Sequence, residues 1–322
     1  MAPRTRHKAD ARIAQGLRRS LIRMRKRIAL ALAVGIATAA LSTAGRATTI
    51  AGAPAMHIAP SAIQPPHPVT YAPQIELPFG RSINHLAGVA VDGADNVYAL
   101  DLYFGHVWKM AAGTRNPEPL PYIGLGRTLD AAVDAAGNLY VTDDFHKRVL
   151  KLTPGTMTPA VLPFTDLDVI AGVAVDTAGN VYVSDSTNNR VLRLAPGSAS
   201  PTTLPFNGIH PEGVTVDIDG NVYVVDSDGK RVLKLAPGAG DPTVLPFGDL
   251  KLPTRVAVDR RGNVYVVDLG TDRVLKLDAG ASGPTTLPFT DLKDPCSVAV
   301  DSKGNVYLND GLHFRILELP AR

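Results

Sequence analysis

Five aspartates in the sequence are each followed, five residues later, by an arginine. A carboxylate beside a guanidinium could position a substrate or stabilise a developing charge. An active site needs one such pair, so repetition favours a structural role in every copy of a repeated unit. A sixth copy starts at Asp101 and carries His106 in place of the arginine. The five pairs are Asp143 and Arg148, Asp185 and Arg190, Asp226 and Arg231, Asp268 and Arg273, and Asp310 and Arg315.

The pairs belong to a longer repeat that must position them. An asparagine followed by Val or Leu and then Tyr recurs at intervals of 42, 42, 41, 42 and 42 residues, at Asn96, Asn138, Asn180, Asn221, Asn263 and Asn305. Each unit contains four short runs in which Val, Tyr and Leu alternate with polar residues, separated by turn clusters of Gly, Pro, Asn and Asp. An aspartate four residues before each asparagine suits a tight hairpin turn. The period and strand number predict an all-β, six-bladed β-propeller of four-stranded blades.

The order of the pieces predicts how the ring closes. The first strand-like run, Ile75 to Phe79, has no unit before it, and the last unit ends after Ile316 to Leu319 without such a run. We therefore expect the N-terminal strand to complete the last blade. Closure of this kind removes the exposed strand edges that promote aggregation.

The runs Val-Ala-Val-Asp, Gly-Asn-Val-Tyr-Val and Asn-x-Arg-Val resemble the NHL repeat over roughly residues 75–319. With Leu-Pro-Phe-Thr-Asp-Leu at 162–167 and 287–292, the phrase is also similar to the extracellular sensor domain of mycobacterial PknD-type receptor serine/threonine kinases. The resemblance implies a propeller that binds or senses a ligand. Kinase activity is not expected, because the sequence has no Gly-rich loop, His-Arg-Asp or Asp-Phe-Gly signature.

Binding residues are expected where the units differ on one face of the ring. Four and five residues before the aspartate of Val-Ala-Val-Asp, the units commonly carry small residues such as Ala and Gly. Some units instead have a larger or more polar residue there. We predict that these exceptions, with two nearby histidines, line or rim the mouth of the central channel. The predicted channel-mouth residues are His85, Asp130, His210, Glu212, Arg255 and Cys296. No histidine is adjacent to Cys296 in sequence, which favours a small buried thiol over a nucleophile.

Aromatic residues and histidine replace small polar residues in the loops between the second and third strands of units two, six and one. Ring closure makes these units consecutive, so the side chains could form a contiguous patch for a peptide or glycan. The alternative is that they fold back on their own blades. The predicted aromatic patch comprises Tyr103, Phe104, Phe145, His146, His313 and Phe314.

An enzyme is the alternative to a binding module. NHL-like propeller enzymes such as peptidyl-hydroxyglycine lyase and streptogramin lyase use channel-mouth histidines with a metal, and His210-Pro211-Glu212-Gly213 resembles that neighbourhood. His85 and His210 belong to units on opposite sides of the ring and could not share one ion without more ligands. We therefore assign no catalytic residue, metal or cofactor. An exported lyase or lactonase-like enzyme with a channel metal stays an alternative, as does a purely structural envelope scaffold.

The N-terminal region predicts export. Residues 1–27 carry ten Lys and Arg against one acid, and residues 28–44 are 17 uncharged, mostly apolar or small residues. A helix of that length spans about 25 Å, short of the roughly 30 Å hydrocarbon core, which favours a cleavable signal ending near Ser42-Thr43-Ala44 over a membrane anchor. A nucleic-acid-binding tail is disfavoured by the apolar run. Arg18 and Arg19 resemble a weak twin-arginine export motif.

Three segments follow: a signal or anchor at 1–44, an Ala/Pro/Thr-rich linker at 45–74 and the propeller at 75–322. The single cysteine excludes an intramolecular disulfide and a Cys-only zinc site. We expect an exported monomer that is secreted or held at the cell envelope, or that is anchored to the cytoplasmic membrane by residues 28–44 with the propeller outside. The expected partner is an envelope or extracellular peptide, protein or glycan, with no nucleic acid and membrane contact only through the N-terminal segment.

Overall fold

The computed structural model describes residues 69–79, 86–102, 105–120 and 124–322. These residues form six antiparallel sheets of four strands each, arranged as the blades of a propeller, so the predicted fold class is confirmed. The predicted signal or anchor and most of the linker lie outside the described residues. Within the described part, the one helix is a short 3₁₀ turn at Leu269–Thr271, and no helix is long and apolar enough to cross a membrane.

Strands are numbered in chain order, starting with β1 (Ile75–Glu76). Blade 1 comprises β2 (Leu86–Val91), β3 (Val97–Asp101), β4 (Val107–Met110) and β5 (Pro117–Pro119). Blade 2 comprises β6 (Ala131–Val133), β7 (Leu139–Asp143), β8 (Arg148–Leu152) and β9 (Ala160–Val161). Blade 3 comprises β10 (Ile170–Val175), β11 (Val181–Asp185), β12 (Arg190–Leu194) and β13 (Thr202–Thr203). Blade 4 comprises β14 (Pro211–Val216), β15 (Val222–Asp226), β16 (Arg231–Leu235) and β17 (Thr243–Val244). Blade 5 comprises β18 (Pro253–Val258), β19 (Val264–Asp268), β20 (Arg273–Leu277) and β21 (Thr285–Thr286). Blade 6 comprises β22 (Pro295–Val300), β23 (Val306–Asp310) and β24 (Arg315–Leu319), completed by β1.

The hydrophobic core lies between neighbouring blades. Val, Tyr and Leu favour strands because their branched or aromatic side chains pack well on a pleated surface. Between blades 3 and 4, Tyr182 packs in one cluster with Phe206, Val222 and Leu233. Since each blade buries both faces against its two neighbours, the second strands are buried along their whole length.

The hairpin between the first and second strands explains the repeated Asp, Asn and Tyr. In blade 3, Asp176 Oδ1 accepts hydrogen bonds from the backbone N–H groups of Ala178 and Asn180. Its Oδ2 accepts from Asn180 Nδ2 at 2.7 Å and from the Tyr182 hydroxyl at 2.9 Å. The same hydroxyl-to-carboxylate contact recurs in the other blades at Asp92, Asp134, Asp217, Asp259 and Asp301. Burial and the adjacent carboxylate raise the pKa of Tyr182 to about 12.

The N-terminal strand closes the ring as the order of the runs predicts. β1 pairs antiparallel with β24, with Ile75 opposite Glu318, and the Leu77 N–H donates to the Ile316 carbonyl at 2.9 Å. Leu77 and Phe79 are then buried in the core between blades 6 and 1. Pairing extends to the very C-terminus, where the Arg322 N–H donates to the Thr70 carbonyl.

Candidate functional site

The six inner strands surround a cavity of about 220 Å³ on the axis of the ring. Each inner strand pairs with one neighbouring strand only, so its other edge is free to face this channel. The start of each inner strand lies beside the end of the second strand; Ile170, for example, is opposite Asp185. The loops between second and third strands therefore share one end of the ring with the predicted channel mouth.

A β-bulge marks the mouth in five of the six inner strands. A bulge inserts an extra residue and changes the direction in which nearby side chains point. The residues at the shift include Glu212, Thr254 and Cys296. The bulge thus gives these positions side-chain directions that differ from those of the regular strand.

Small residues are preferred at the mouth because neighbouring blades pack closely there. A Cβ added at Gly172 would lie 3.0 Å from both the Glu212 carbonyl oxygen and the Val214 nitrogen in the next blade. Glycine there lets the two backbones approach. Asp130, at the equivalent position of blade 2, instead uses Oδ2 to accept a hydrogen bond from the Val173 N–H at 3.2 Å.

Arg255 spans the channel mouth. Its side chain starts in blade 5, and Nη2 donates to the carbonyl oxygen of Leu129 in blade 2 at 3.3 Å, while Nη1 donates to the Thr254 carbonyl at 3.0 Å. Blades 2 and 5 face each other across a six-bladed ring. The guanidinium therefore lies across this end of the channel, and Arg255 is only 5% exposed.

Three further predicted residues lie around the guanidinium. Glu212 Oε2 is 3.6 Å from Arg255 Nη1, and His210 Nε2 is 3.8 Å from Glu212 Oε1. Burial raises the pKa of Asp130 to about 6, although the charge of Arg255 and the hydrogen bond from Val173 lower it. The structure brings Asp130, His210, Glu212 and Arg255 together.

On the blade 5 side of the mouth, two polar atoms lack hydrogen-bond partners among the described residues. They are Arg255 Nε and Thr254 Oγ1, and both are buried. Buried polar groups normally have a partner, so an acceptor atom of a water or ligand would satisfy them. Sequence reasoning missed Thr254 and the Leu129 carbonyl. Thr254 occupies a position that is alanine in two other units, and this difference in the sequence is small. The position of a backbone carbonyl cannot be read from residue types at all.

Of the remaining channel-mouth predictions, Cys296 lies at the same end of the ring. Cys296 carries a partly exposed thiol in the bulge of β22. His85 lies outside the described residues. Within the part of the chain that the structure describes, no group of three or more His, Cys, Asp or Glu side chains is placed to hold a metal ion.

The repeated aspartates fasten the mouth-end loops to their blades. In blade 3, Arg190 Nε donates to Asp185 Oδ2 at 2.8 Å, and the Asp168 N–H donates to Oδ1 at 3.0 Å. The aspartates of the five pairs are at most 2% exposed, and each contacts its arginine. Because each buried carboxylate binds both an arginine and a loop N–H, every copy of the pair holds a loop against its blade. The pairs therefore have a structural role.

The predicted aromatic patch divides into two kinds of side chain. The Nδ1 atoms of His146 and His313 lie 2.8 Å from Asp143 Oδ2 and Asp310 Oδ2, so both histidines fold back on their own blades. Phe145 and Phe314 are 72% and 41% exposed. Tyr103 and Phe104 lie outside the described residues.

The exposed phenylalanines belong to blades that flank blade 1. Inner strand β2 contacts both β22 and β6, which makes blades 6, 1 and 2 consecutive. Phe314 has a φ of 55°, a left-handed conformation that is unfavourable for a bulky residue. The equivalent residues are Gly105, Lys147, Asn189, Lys230 and Asp272. Phe314 is thus the one aromatic residue at a position that holds glycine or a polar residue in the other five blades.

Residues 167–194 match the NHL repeat. This segment runs from the loop before β10 to the end of β12. No curated protein sequence matches the chain. The family model therefore supports the repeat through one blade, while the regular spacing extends it to the others.

Solved structures share the fold at low sequence identity. A gluconolactonase from Xanthomonas campestris is 16% identical, with 74% of this chain and 86% of that chain covered at a TM-score of 0.62. A catalytically inactive virginiamycin B lyase from Staphylococcus aureus with quinupristin is 12% identical, covering 78% and 99% at 0.60. A chain of a nidogen/laminin complex is 21% identical, covering 65% and 83% at 0.59. With 1324 matching chains, the likeness establishes the fold and selects no function. The resemblance to receptor-kinase sensor domains stays a prediction.

Proposed function

We propose that this protein is an exported β-propeller that binds an extracellular polypeptide through the mouth-end loops of blades 6, 1 and 2. The observation that carries the proposal is Phe314, a 41% exposed phenylalanine held at a φ of 55°. A bulky residue in this conformation costs free energy that glycine or asparagine would avoid. Strain of this kind, on a solvent-facing loop, is characteristic of binding sites.

Phe145 provides a second apolar side chain on the other side of blade 1. Large aromatic side chains dominate the binding energy of protein interfaces because they bury much area with few rotatable bonds. His146 lies edge-on to Phe145, with ring centroids 4.9 Å apart. Its Nδ1 faces Asp143, and its 44% exposed ring leaves Nε2 available to a ligand. Such alternation of apolar and polar groups suits a polypeptide segment.

One solved structure of similar fold and the N-terminal sequence support this proposal. One propeller of similar fold comes from a nidogen/laminin complex, an assembly of two proteins. The basic segment 1–27 followed by the uncharged segment 28–44 is the pattern of an export signal, which would place the propeller outside the cytoplasm.

The test is a screen of full-length protein against a displayed peptide library, followed by dissociation constants for an enriched peptide. Phe145→Ser and Phe314→Asn should each weaken binding by about tenfold or more. Met157→Ser is the matched control, because Met157 is 72% exposed, as Phe145 is, but lies in a turn after the third strand. Its affinity should equal that of the wild type.

Other outcomes would overturn the proposal in recognisable ways. Binding on a parallel glycan array that both phenylalanine variants abolish would replace the polypeptide by a glycan. A stoichiometric metal ion in purified protein, with no enriched peptide, would favour the lyase- or lactonase-like alternative. Absence of any ligand in both screens would favour a structural scaffold.

A further inference from the structure

The channel mouth carries one more negative than positive charge among the described residues. Its charged side chains are Asp130, Glu212 and Arg255, so two carboxylates share a single guanidinium. The pKa of Asp130, about 6, lies below neutral pH, so this carboxyl is ionised there. His210 adds positive charge only when its ring is protonated. A site with this balance of charge attracts a cation and repels an anion.

The carboxylate of Glu212 is open to a ligand. Its side chain is 27% exposed, and its charged neighbours are Arg255 Nη1 at 3.6 Å and His210 Nε2 at 3.8 Å. Both distances exceed that of a hydrogen bond. Within the part of the chain that the structure describes, the two carboxylate oxygens therefore accept no hydrogen bond, and they remain available to a donor from solution.

The fold does not require an acid at position 212. The backbone makes the contact between the blades, because Ser184 Oγ donates a hydrogen bond to the carbonyl oxygen of Glu212. The equivalent residues of the other blades are all uncharged, and they are Ala87, Leu129, Ala171, Thr254 and Cys296. A carboxylate in blade 4 alone is better explained by a ligand than by the packing of the ring.

The same site lacks an acceptor atom. Arg255 Nε and Thr254 Oγ1 are buried and have no hydrogen-bond partner among the described residues. The guanidinium is already fixed by its other nitrogens, which donate to the carbonyl oxygens of Thr254 and Leu129. Its Nε–H is therefore left for an acceptor from outside the chain. An uncharged oxygen, such as a carbonyl, would satisfy it without adding negative charge to a site that already has an excess.

We propose that the channel mouth binds the amino terminus of a polypeptide, with the ammonium at Glu212 and the adjacent carbonyl oxygen at Arg255 Nε and Thr254 Oγ1. An amino-terminal residue places an ammonium beside a carbonyl oxygen, which is the combination that the mouth lacks, and capture of this group is a known mode of peptide recognition. A lysine side chain has the ammonium without the neighbouring oxygen.

This inference rests on the proposed function, because it names the part of the polypeptide that the mouth would take. The mouth and the proposed binding loops share one end of the ring. Arg255 reaches Leu129 in blade 2, and Phe145 lies on the mouth-end loop of that blade. A chain that starts at the mouth could therefore continue over Phe145.

The test is a random library of decapeptide amides, synthesised once with free and once with acetylated amino termini and passed over immobilised full-length protein. Lysine side chains stay free in both libraries, so only the terminus differs. The free library should be retained, and one retained peptide should lose about tenfold or more in affinity when it is acetylated, as calorimetry would measure. Equal retention of both libraries would overturn this inference and leave the proposed function standing. Retention of neither would overturn the proposed function as well.

Two variants locate the amine. Glu212→Gln keeps the shape of the side chain and removes its charge, so it should weaken binding of the free peptide by about tenfold and leave the acetylated form unchanged. Asp228→Asn removes an exposed carboxylate from the mouth-end loop of the same blade and should bind as the wild type does. Circular dichroism checks that each variant folds. An unaltered affinity of the free peptide for Glu212→Gln, or equal losses in the two variants, would overturn the proposal.

Discussion

At the scale of single residues, the left-handed backbone of Phe314 predicts how its replacement changes the stability of the protein. A left-handed conformation costs an ordinary residue roughly 1–2 kcal/mol, and asparagine tolerates it better. Phe314→Asn should therefore raise the free energy of unfolding by about 0.5–1 kcal/mol while weakening ligand binding. Urea denaturation followed by circular dichroism measures the first effect.

Phe145→Asn is the matched control for that prediction. Phe145 is an exposed phenylalanine of the equivalent loop in blade 2 and is not among the residues with positive φ. It should bring no gain in stability. A gain equal to that of Phe314→Asn would mean that loss of exposed apolar surface, and not relief of backbone strain, causes the effect.

The carboxyl of Asp130 makes the stability of the protein depend on pH. Its pKa is about 6 in the folded protein, against an ordinary value of 3.8. Between these values the folded protein holds a proton that the unfolded chain releases, so this contribution to the free energy of unfolding falls as the pH rises from about 4 to 6. The fall is on the order of 3 kcal/mol.

Asp130→Asn isolates this effect from other titrating groups. The amide oxygen can still accept the hydrogen bond from the Val173 N–H, and the side chain no longer titrates. The difference in free energy of unfolding between wild type and variant should fall across pH 4 to 6 and stay constant above it. A difference that does not change with pH would show that Asp130 titrates normally.

At the scale of structural elements, the fastening of each mouth-end loop can be tested in blade 3. Asp185 is fully buried and accepts hydrogen bonds from Arg190, Asn188 and the Asp168 N–H. Asp185→Ala leaves these donors without their acceptor and should lower the free energy of unfolding by about 3 kcal/mol.

Asp228→Ala is the control for the loop-fastening prediction. Asp228 is an exposed aspartate in the corresponding loop of blade 4, and its removal should change stability by no more than about 0.5 kcal/mol. Similar losses in the two variants would indicate a general effect of negative charge on this face.

What the sequence could predict depended on how local the interaction is. The hairpin contacts of Asp176 with Asn180 and Tyr182 lie within one turn, so their spacing predicts them. The contact of Arg255 with Leu129 joins residues 126 positions apart and depends on how blades face across the ring. The spacing of residues also could not predict which of two adjacent side chains, Phe145 or His146, would fold back on its own blade. His146 does so because its ring reaches Asp143 three residues earlier, which leaves Phe145 exposed.

At the scale of the whole molecule, stability depends on closure of the ring by β1. Ile75 and Glu318 are opposite each other in the closing pair of strands, and they share the register of the hydrogen-bonded pair Leu77 and Ile316. Alpha carbons of such pairs are about 5.5 Å apart, a separation that a disulfide spans. Ile75→Cys with Glu318→Cys, in a Cys296→Ser background, should therefore form an intramolecular disulfide.

That disulfide would prevent the N-terminal strand from leaving the last blade. Since it closes a loop that contains almost the entire propeller, it should raise the free energy of unfolding by about 3 kcal/mol. The same protein after reduction is the control and should unfold at the urea concentration of the Cys296→Ser parent. If the oxidised and reduced forms unfold at the same urea concentration although mass spectrometry shows the crosslink, the crosslink adds no net stability, and closure of the ring by β1 does not limit the stability of the protein.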